Sequence, residues 1–292
     1  MTLAPLSQLA MSRESGLEVR PLSPTIGAEL LGPDLSRPLG DGLLDAVRAA
    51  LWRYKVVFFR DQRLSPEQHL AFARRFGPVE VNPIFGHVPG HPEVMLLVKE
   101  PADKHNVGEI WHSDMTFAPA PPMGSILYAR QVPPVGGDTL WCDMNRAYET
   151  LSDGMKQTLL GLRAVHSNRG QLERAAARAN TLSTEVKAEA FAKVREAVHP
   201  VVRVHEESGL PCLFVSEAFT WCFEGWTREE SLPLLGFLWS HAIRVENQVR
   251  FRWAEGSVAF WDNRSTLHYA ANDYHGWRRE MHRVTVKSPP VV

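Results

Sequence analysis

Val249-Arg-Phe-Arg-Trp253 and Val258-Ala-Phe-Trp261 lie four residues apart in the last fifth of a 292-residue chain. Each run is short, β-branched and aromatic, the composition of a strand rather than a helix. Upstream, Ile126-Leu-Tyr128, Thr139-Leu-Trp141, Val201-Val-Arg-Val204 and Leu213-Phe-Val215 repeat the pattern, and downstream Val284-Thr-Val286 closes it. Short strands so spaced predict an antiparallel β-barrel or sandwich. Ala, Glu and Lys reach helix-like density over residues 145–196, and 228–244 reads as a further helix with Pro233 near its start. The class is mainly β, with α insertions packed on the barrel.

Toward the N-terminus the signals alternate. Leu17–Leu22 and Ile26–Leu30 read as a hairpin; Leu43, Leu44, Val47 and Leu51 recur at helical spacing before Val56-Val-Phe-Phe59, a buried strand. Ser65-Pro66-Glu67-Gln68 carries a capping residue, proline at the first helical position and a capping-box glutamine, and Gly77 marks the stop. Residues 1–15 lack periodicity and are expected to form a flexible tail, leaving 16–292 as one domain.

With 44% hydrophobic and 22% charged residues and a formal net charge of −1, the chain has the makings of a packed core and lacks the basic excess that tracks phosphates. A small molecule, not nucleic acid, is the expected partner. No long apolar run predicts a membrane span. The three cysteines, Cys142, Cys212 and Cys222, form no CxxC pair, which fits a reducing cytoplasm.

The chemistry concentrates in two places. In Trp111-His112-Ser113-Asp114, His and Asp two apart on a strand would project from one face toward a shared ion. Far downstream, Trp261-Asp-Asn-Arg264 leads into His268, then Arg279 and Arg283. His112, Asp114 and His268 make the two-imidazole, one-carboxylate set associated with non-haem iron(II), which leaves coordination positions for a bidentate co-substrate and O2. If 2-oxoglutarate chelates through its 2-oxo acid end, its far carboxylate needs a guanidinium; Arg279 returning on an adjacent strand can supply it, with the Thr139 hydroxyl beside it. Thr139 otherwise reads as an ordinary strand residue.

These segments, together with Pro121-Pro122, Gly136-Gly-Asp-Thr-Leu-Trp141, His199-Pro-Val-Val-Arg203, His268-Tyr-Ala270 and Arg278-Arg-Glu-Met-His-Arg283, resemble in order and spacing the TauD/TfdA (taurine dioxygenase) family of Fe(II)/2-oxoglutarate-dependent dioxygenases, from about residue 17 to 287. The resemblance implies a double-stranded β-helix (jelly roll, cupin-like), iron on His112, Asp114 and His268, 2-oxoglutarate on Thr139 and Arg279, and a homo-oligomer, dimer or tetramer. It also implies that Arg283 grips a substrate anion and that Phe219 contacts the substrate. For Arg283 the alternative is a structural ion pair or a partner that orients the metal ligands.

The family's taurine-binding histidine and tyrosine are absent, since Asn82-Pro-Ile-Phe85 stands in their place; the asparagine before the metal histidine is also missing, with Gly108 nearest in register. Taurine would be under-bonded. Phe85, Phe219, Trp221 and Phe223 predict a broader apolar pocket, with Asn82 contributing a hydrogen bond, for a small anionic organic substrate bearing an alkyl or aryl group: a sulfonate, sulfate ester or carboxylate. Hydroxylation beside the heteroatom would then cleave the bond to it. The Gly/Pro-rich stretch 86–110 is where a lid is expected. Two rival readings are a metal-dependent hydrolase on the same ligands and a non-catalytic small-anion-binding β-barrel protein.

Overall fold

The computed structural model describes residues 16–177, 183–186 and 193–288, so the expected tail at 1–15 lies outside the described residues. Strands β1 (Glu18–Pro21) and β2 (Ala28–Leu31) form the expected antiparallel hairpin. Helix α1 (Asp41–Tyr54) buries Leu44, Val47, Ala50 and Leu51, then stops at Lys55 in the left-handed region (φ 65°) and feeds β3 (Val56–Phe59), every residue of which is buried. At the start of α2 (Pro66–Arg74), Ser65 Oγ accepts from Gln68 N and Gln68 Oε1 accepts from Ser65 N, so two otherwise orphaned amides satisfy each other.

The remaining elements in chain order are β4 (Val79–Glu80), β5 (His87–Val88), β6 (His91–Lys99), β7 (Gly124–Gln131), β8 (Thr139–Asp143), α3 (Met144–Glu149), α4 (Asp153–Leu159), β9 (Arg163–Ser167), α5 (Arg169–Ala177), β10 (Glu196–Pro200), β11 (Val202–Val204), β12 (Pro211–Leu213), β13 (Thr220–Phe223), α6 (Arg228–Ala242), β14 (Gln248–Phe251), β15 (Val258–Asp262), β16 (Thr266–Ala270) and β17 (Arg279–Val286). The major sheet runs β1-β2-β3-β15-β7-β17-β6-β5, with β4 also on β17; the minor sheet is β14-β8-β16. All pairings in the two sheets are antiparallel except β2–β3 of the major sheet.

Between the two sheets sits an aromatic core. Phe58 of the major sheet stacks on Phe251 of the minor one at 4.0 Å and meets Trp141 edge-on at 5.4 Å, and Trp141 in turn touches Trp261 at 5.7 Å. Trp141 is fully buried, and truncating such a side chain to alanine costs about 3–5 kcal/mol. Two antiparallel sheets closed over one core make the jelly roll. Among the described residues no helix is long and apolar enough to cross a membrane.

Two expectations are corrected. The stretch 86–110 is not a free lid over its length: β6 occupies nine residues of it and pairs with β17 from Arg279↔Lys99 to Arg283↔Met95. The segment 145–196 is not helical throughout either, because β9 interrupts it and is flanked by β10 and β13. Ala164 and His166 of β9 are buried, which places that strand in a sheet instead of on the surface. The helix read over 228–244 is present as α6 with Pro233 inside it, held at its start by a Thr227–Glu230 capping box.

Candidate active site

Backbone pairing, not side-chain attraction, brings the two distant histidines together. His112 N donates to His268 O at 3.1 Å and His268 N donates to His112 O at 2.7 Å, an isolated antiparallel bridge at the edge of β16. Past the bridge the chain leaves the pairing and turns, with Met115 at φ 49°. His112 and Asp114 therefore do not share a strand face as their spacing suggested; the carboxylate is aimed by the turn. Asn263 holds that turn: its Oδ1 accepts from Asp114 N at 2.7 Å, and its Nδ2 donates to Asp114 O at 3.0 Å and Pro122 O at 3.3 Å. The Ser113 hydroxyl adds a bond to the Asn263 carbonyl.

The three ligand atoms lie within 4.8 Å of one another, and both imidazole Nε2 atoms stand 3.6 Å from Asp114 Oδ1. Burial lowers the pKa of both imidazoles, so they present neutral nitrogens. His112 Nδ1 donates to Ile110 O at 2.7 Å, the hydrogen bond that leaves Nε2 as the lone-pair atom. Burial would raise the pKa of Asp114, but the Arg283 guanidinium, and then the two histidines, hold it at about 2. Two neutral imidazoles and one ionised carboxylate converging on a point fit a divalent metal of the iron(II) type.

Arg279, on β17, is buried, and its Nε and Nη2 have no hydrogen-bond partner among the described residues. Burial pulls its pKa down, with Tyr274 and Asp138 opposing. Two orphaned guanidinium donors are costly unless an acceptor arrives, and a carboxylate satisfies both at once. Thr139, which begins β8, accepts a 2.9 Å hydrogen bond from Trp253 Nε1, leaving its own O–H to donate. The Trp253 ring also lies 5.8 Å from the Arg279 guanidinium carbon, so one tryptophan touches both residues. These residues fit the far carboxylate of 2-oxoglutarate. Sequence reasoning missed Trp253, which in one dimension is merely the last aromatic of a strand-like run.

A cavity of about 1160 Å³ opens beside the metal ligands, lined by His112, Asp114, Arg283 and all three other residues expected to bind substrate, Asn82, Phe85 and Phe219. Phe219 meets Phe117 edge-on at 5.2 Å and His112 at 6.3 Å, and Ile84, Ile110 and Met115 extend the apolar wall. Asn82 Oδ1 accepts from Ile84 N and Phe85 N, which leaves only its amide NH2 to face a ligand. Gly108 also lines the cavity, at φ 92°; a Cβ there would sit 3.3 Å from His112 Cε1, so a side chain at this position meets both backbone strain and the ligand ring. Neither Trp221 nor Phe223 lines the cavity: Phe223 is core, and Trp221 stacks under the Arg228 guanidinium at 3.7 Å.

Arg283 faces the cavity, yet its Nη2 donates to Asp114 Oδ2 and to Ser125 Oγ, the latter at 2.8 Å. The alternative of a partner orienting the metal carboxylate thus has direct contacts behind it. Arg174 of α5 also lines the cavity and was not singled out in the sequence.

The chain was compared with known proteins. A family model described as taurine catabolism dioxygenase TauD, TfdA family, matches residues 18–285. The chain is 37% identical to an alpha-ketoglutarate-dependent sulfate ester dioxygenase of Pseudomonas putida, over 92% of this chain and 89% of that protein. It is 36% identical to an alkylsulfatase of Acinetobacter baylyi, over 92% and 84%. Among solved structures, a taurine dioxygenase from Burkholderia xenovorans superposes with a TM-score of 0.80 at 42% identity, covering 94% of this chain and 90% of that one.

Proposed function

The chain belongs to the taurine catabolism dioxygenase TauD, TfdA family, and from that premise we propose that its substrate is an alkyl sulfate ester. It is an iron(II)- and 2-oxoglutarate-dependent dioxygenase acting on a small anionic organic molecule. The observation that carries the sulfate ester reading is the cavity. Its volume and its apolar wall suit an alkyl chain, not a two-carbon aminosulfonate, and Asn106, the nearest amide before His112, has its Nδ2 engaged with the Ala270 and Ala271 carbonyls. The sulfate ester and alkylsulfate relatives support the same choice.

In this reading His112, Asp114 and His268 hold iron(II), and Arg279 with Thr139 binds the far carboxylate of 2-oxoglutarate. Bound iron supplies the activation of O2 by which 2-oxoglutarate becomes succinate and carbon dioxide and one oxygen atom enters a C–H bond. The protein positions the reacting carbon: Phe117 and Phe219 close the wall nearest His112 and keep water from it. Hydroxylation of the carbon bearing the sulfate leaves R–CH(OH)–OSO3⁻. The C–O bond to sulfate then breaks, its electron pair leaving with the oxygen; the hydroxyl oxygen forms the carbonyl and releases its proton. The products are an aldehyde and hydrogen sulfate.

The test supplies iron(II)-loaded enzyme with 2-oxoglutarate, ascorbate and air, and a panel from butyl to dodecyl sulfate alongside alkyl sulfonates, aryloxyalkanoates and taurine. Succinate and inorganic sulfate should appear in equal amounts with the alkyl sulfates. Sulfate release that needs no 2-oxoglutarate would instead identify a hydrolase, and succinate confined to sulfonates would replace the substrate.

A further inference from the structure

We propose that residues 183–186 form a specificity-determining strap, in which Val186 contacts the alkyl tail of the substrate and so selects its length. The inference rests on the sulfate ester reading and deepens it. All four residues line the cavity, yet they belong to none of the strands or helices named above. Side chains fasten them. Asp103 Oδ2 accepts from Ser183 N at 3.0 Å, and its Oδ1 accepts from Ser183 Oγ at 2.9 Å. Thr184 Oγ1 donates to Val98 O at 2.6 Å and accepts from Val98 N at 2.9 Å, so one hydroxyl stands in for a neighbouring strand at this point of β6.

The other side of the strap rests on the Asn82–Phe85 corner. Gly86 N donates to Glu185 O at 2.9 Å, and Val186 forms an isolated antiparallel bridge with Phe85. The approach at Gly86 is close: a Cβ there would lie 2.8 Å from Glu185 Cβ. The φ of Gly86 lies outside the left-handed region, so it is the strap, not the backbone, that excludes a side chain. Ile84, Phe117 and Phe219 form one buried apolar cluster, and Phe85 and Val186 pack against it. Phe219 also meets the His112 ring, so a single apolar wall runs from a metal ligand to the strap. A sulfate ester with its reacting carbon at the metal lays its tail along that wall, where each buried methylene strengthens binding about fourfold. Asp103 and Gly86 do not line the cavity, so substitutions there reach a ligand through the strap.

The test titrates anaerobic enzyme, loaded with iron(II) and 2-oxoglutarate, with alkyl sulfates from ethyl to dodecyl and with alkyl sulfonates of the same lengths. Asp103→Ala removes the Ser183 anchor, and Gly86→Ala drives a methyl group against Glu185. Each should lower the preference for octyl over ethyl sulfate by roughly 15- to 60-fold, the worth of two or three methylenes, with ethyl sulfate and 2-oxoglutarate affinity unchanged. Glu185→Gly added to Gly86→Ala relieves the collision and should restore part of the preference. Equal weakening of ethyl and octyl sulfate would show that the strap merely supports the fold, and an unchanged preference in both variants would show that the tail does not reach it; either result overturns the proposal. Turnover separates the two levels. Wild-type enzyme that releases sulfate from no alkyl sulfate removes the ester reading; the strap then stands if the same variants flatten the length preference among the sulfonates, and falls if wild-type enzyme shows no length preference in either series.

Discussion

Asn263→Ala isolates how much of the metal site is built by one amide. The substitution deletes the three side-chain hydrogen bonds, at 2.7, 3.0 and 3.3 Å, that fix the Asp114 backbone and Pro122 O. Asn263 is 1% exposed, so water does not replace them without a rearrangement. Each bond contributes about 1 kcal/mol, and a buried amide or carbonyl left unpaired costs about 1–3 kcal/mol more, which puts the total near 4–6 kcal/mol. For a domain of this size that lowers Tm by roughly 10 °C. Because the same bonds aim the Asp114 carboxylate, iron(II) affinity should fall by about 10–100-fold, the usual effect of losing a group that orients a metal ligand. Thermal unfolding of the metal-free protein gives the first quantity and anaerobic iron(II) calorimetry the second. A lower Tm with wild-type iron affinity would mean that Asn263 staples the turn without aiming the ligand; unchanged values of both would refute the reasoning outright.

Further outcomes follow from residues already placed. Arg279→Gln should raise the KM for 2-oxoglutarate by roughly 10–100-fold, because charge-assisted donors are lost, and leave alkyl sulfate affinity alone; steady-state kinetics with each substrate varied decides it. Trp253→Phe keeps the ring beside Arg279 but frees the Thr139 hydroxyl, so the same KM should rise only about 5-fold, the worth of one neutral hydrogen bond. His69 is fully buried, and burial, reinforced by His282, lowers its pKa to about 3. Unfolded chains take up that proton near pH 6.5, so this group's contribution is present above 6.5 and is lost as pH falls from there toward 3. In His69→Leu the fall in unfolding free energy between pH 6 and 4, measured by urea titration, should be shallower by up to about 1.4 kcal/mol per pH unit; an unaltered slope counts against the assignment.

Much of this site is legible in one dimension because its parts obey local rules. The capping box of Ser65 and Gln68, the all-buried run Val56–Phe59 and the β-branched run Val284-Thr-Val286 that ends β17 each state their structure within a few residues. The pairing of His112 with His268 is not local, but the dense polar group after a buried strand points to it. Other features leave no such trace. His91-Pro-Glu-Val-Met-Leu-Leu-Val-Lys99 opens with residues typical of loops, and only its partner β17 makes it a strand. β9 sits in helix-favouring surroundings and exists because β10 and β13 flank it. Asn82 reads as a ligand-facing amide until its oxygen is seen to cap Ile84 and Phe85. Trp253 gains its place only through what the fold sets beside it, Thr139 and Arg279.

One feature of β17 bears on how such a protein can diversify. Arg279 and Arg283 stand on the same face of a single strand, four residues or roughly 13 Å of backbone apart. The irregularity in the neighbouring pairing, between Glu280 and Met281, skips Arg130 of β7 and leaves the alternation of β17 intact. In the proposed reading the strand is therefore a ruler whose two marks set where the co-substrate ends and the substrate cavity begins. Insertion of one residue between the marks would turn one arginine out of the site, and insertion of two would move it by nearly 7 Å while keeping its face. Changes of substrate can accumulate on the wall, at α5 and around Asn82, without touching that interval, whereas any change in the interval alters both ligands together.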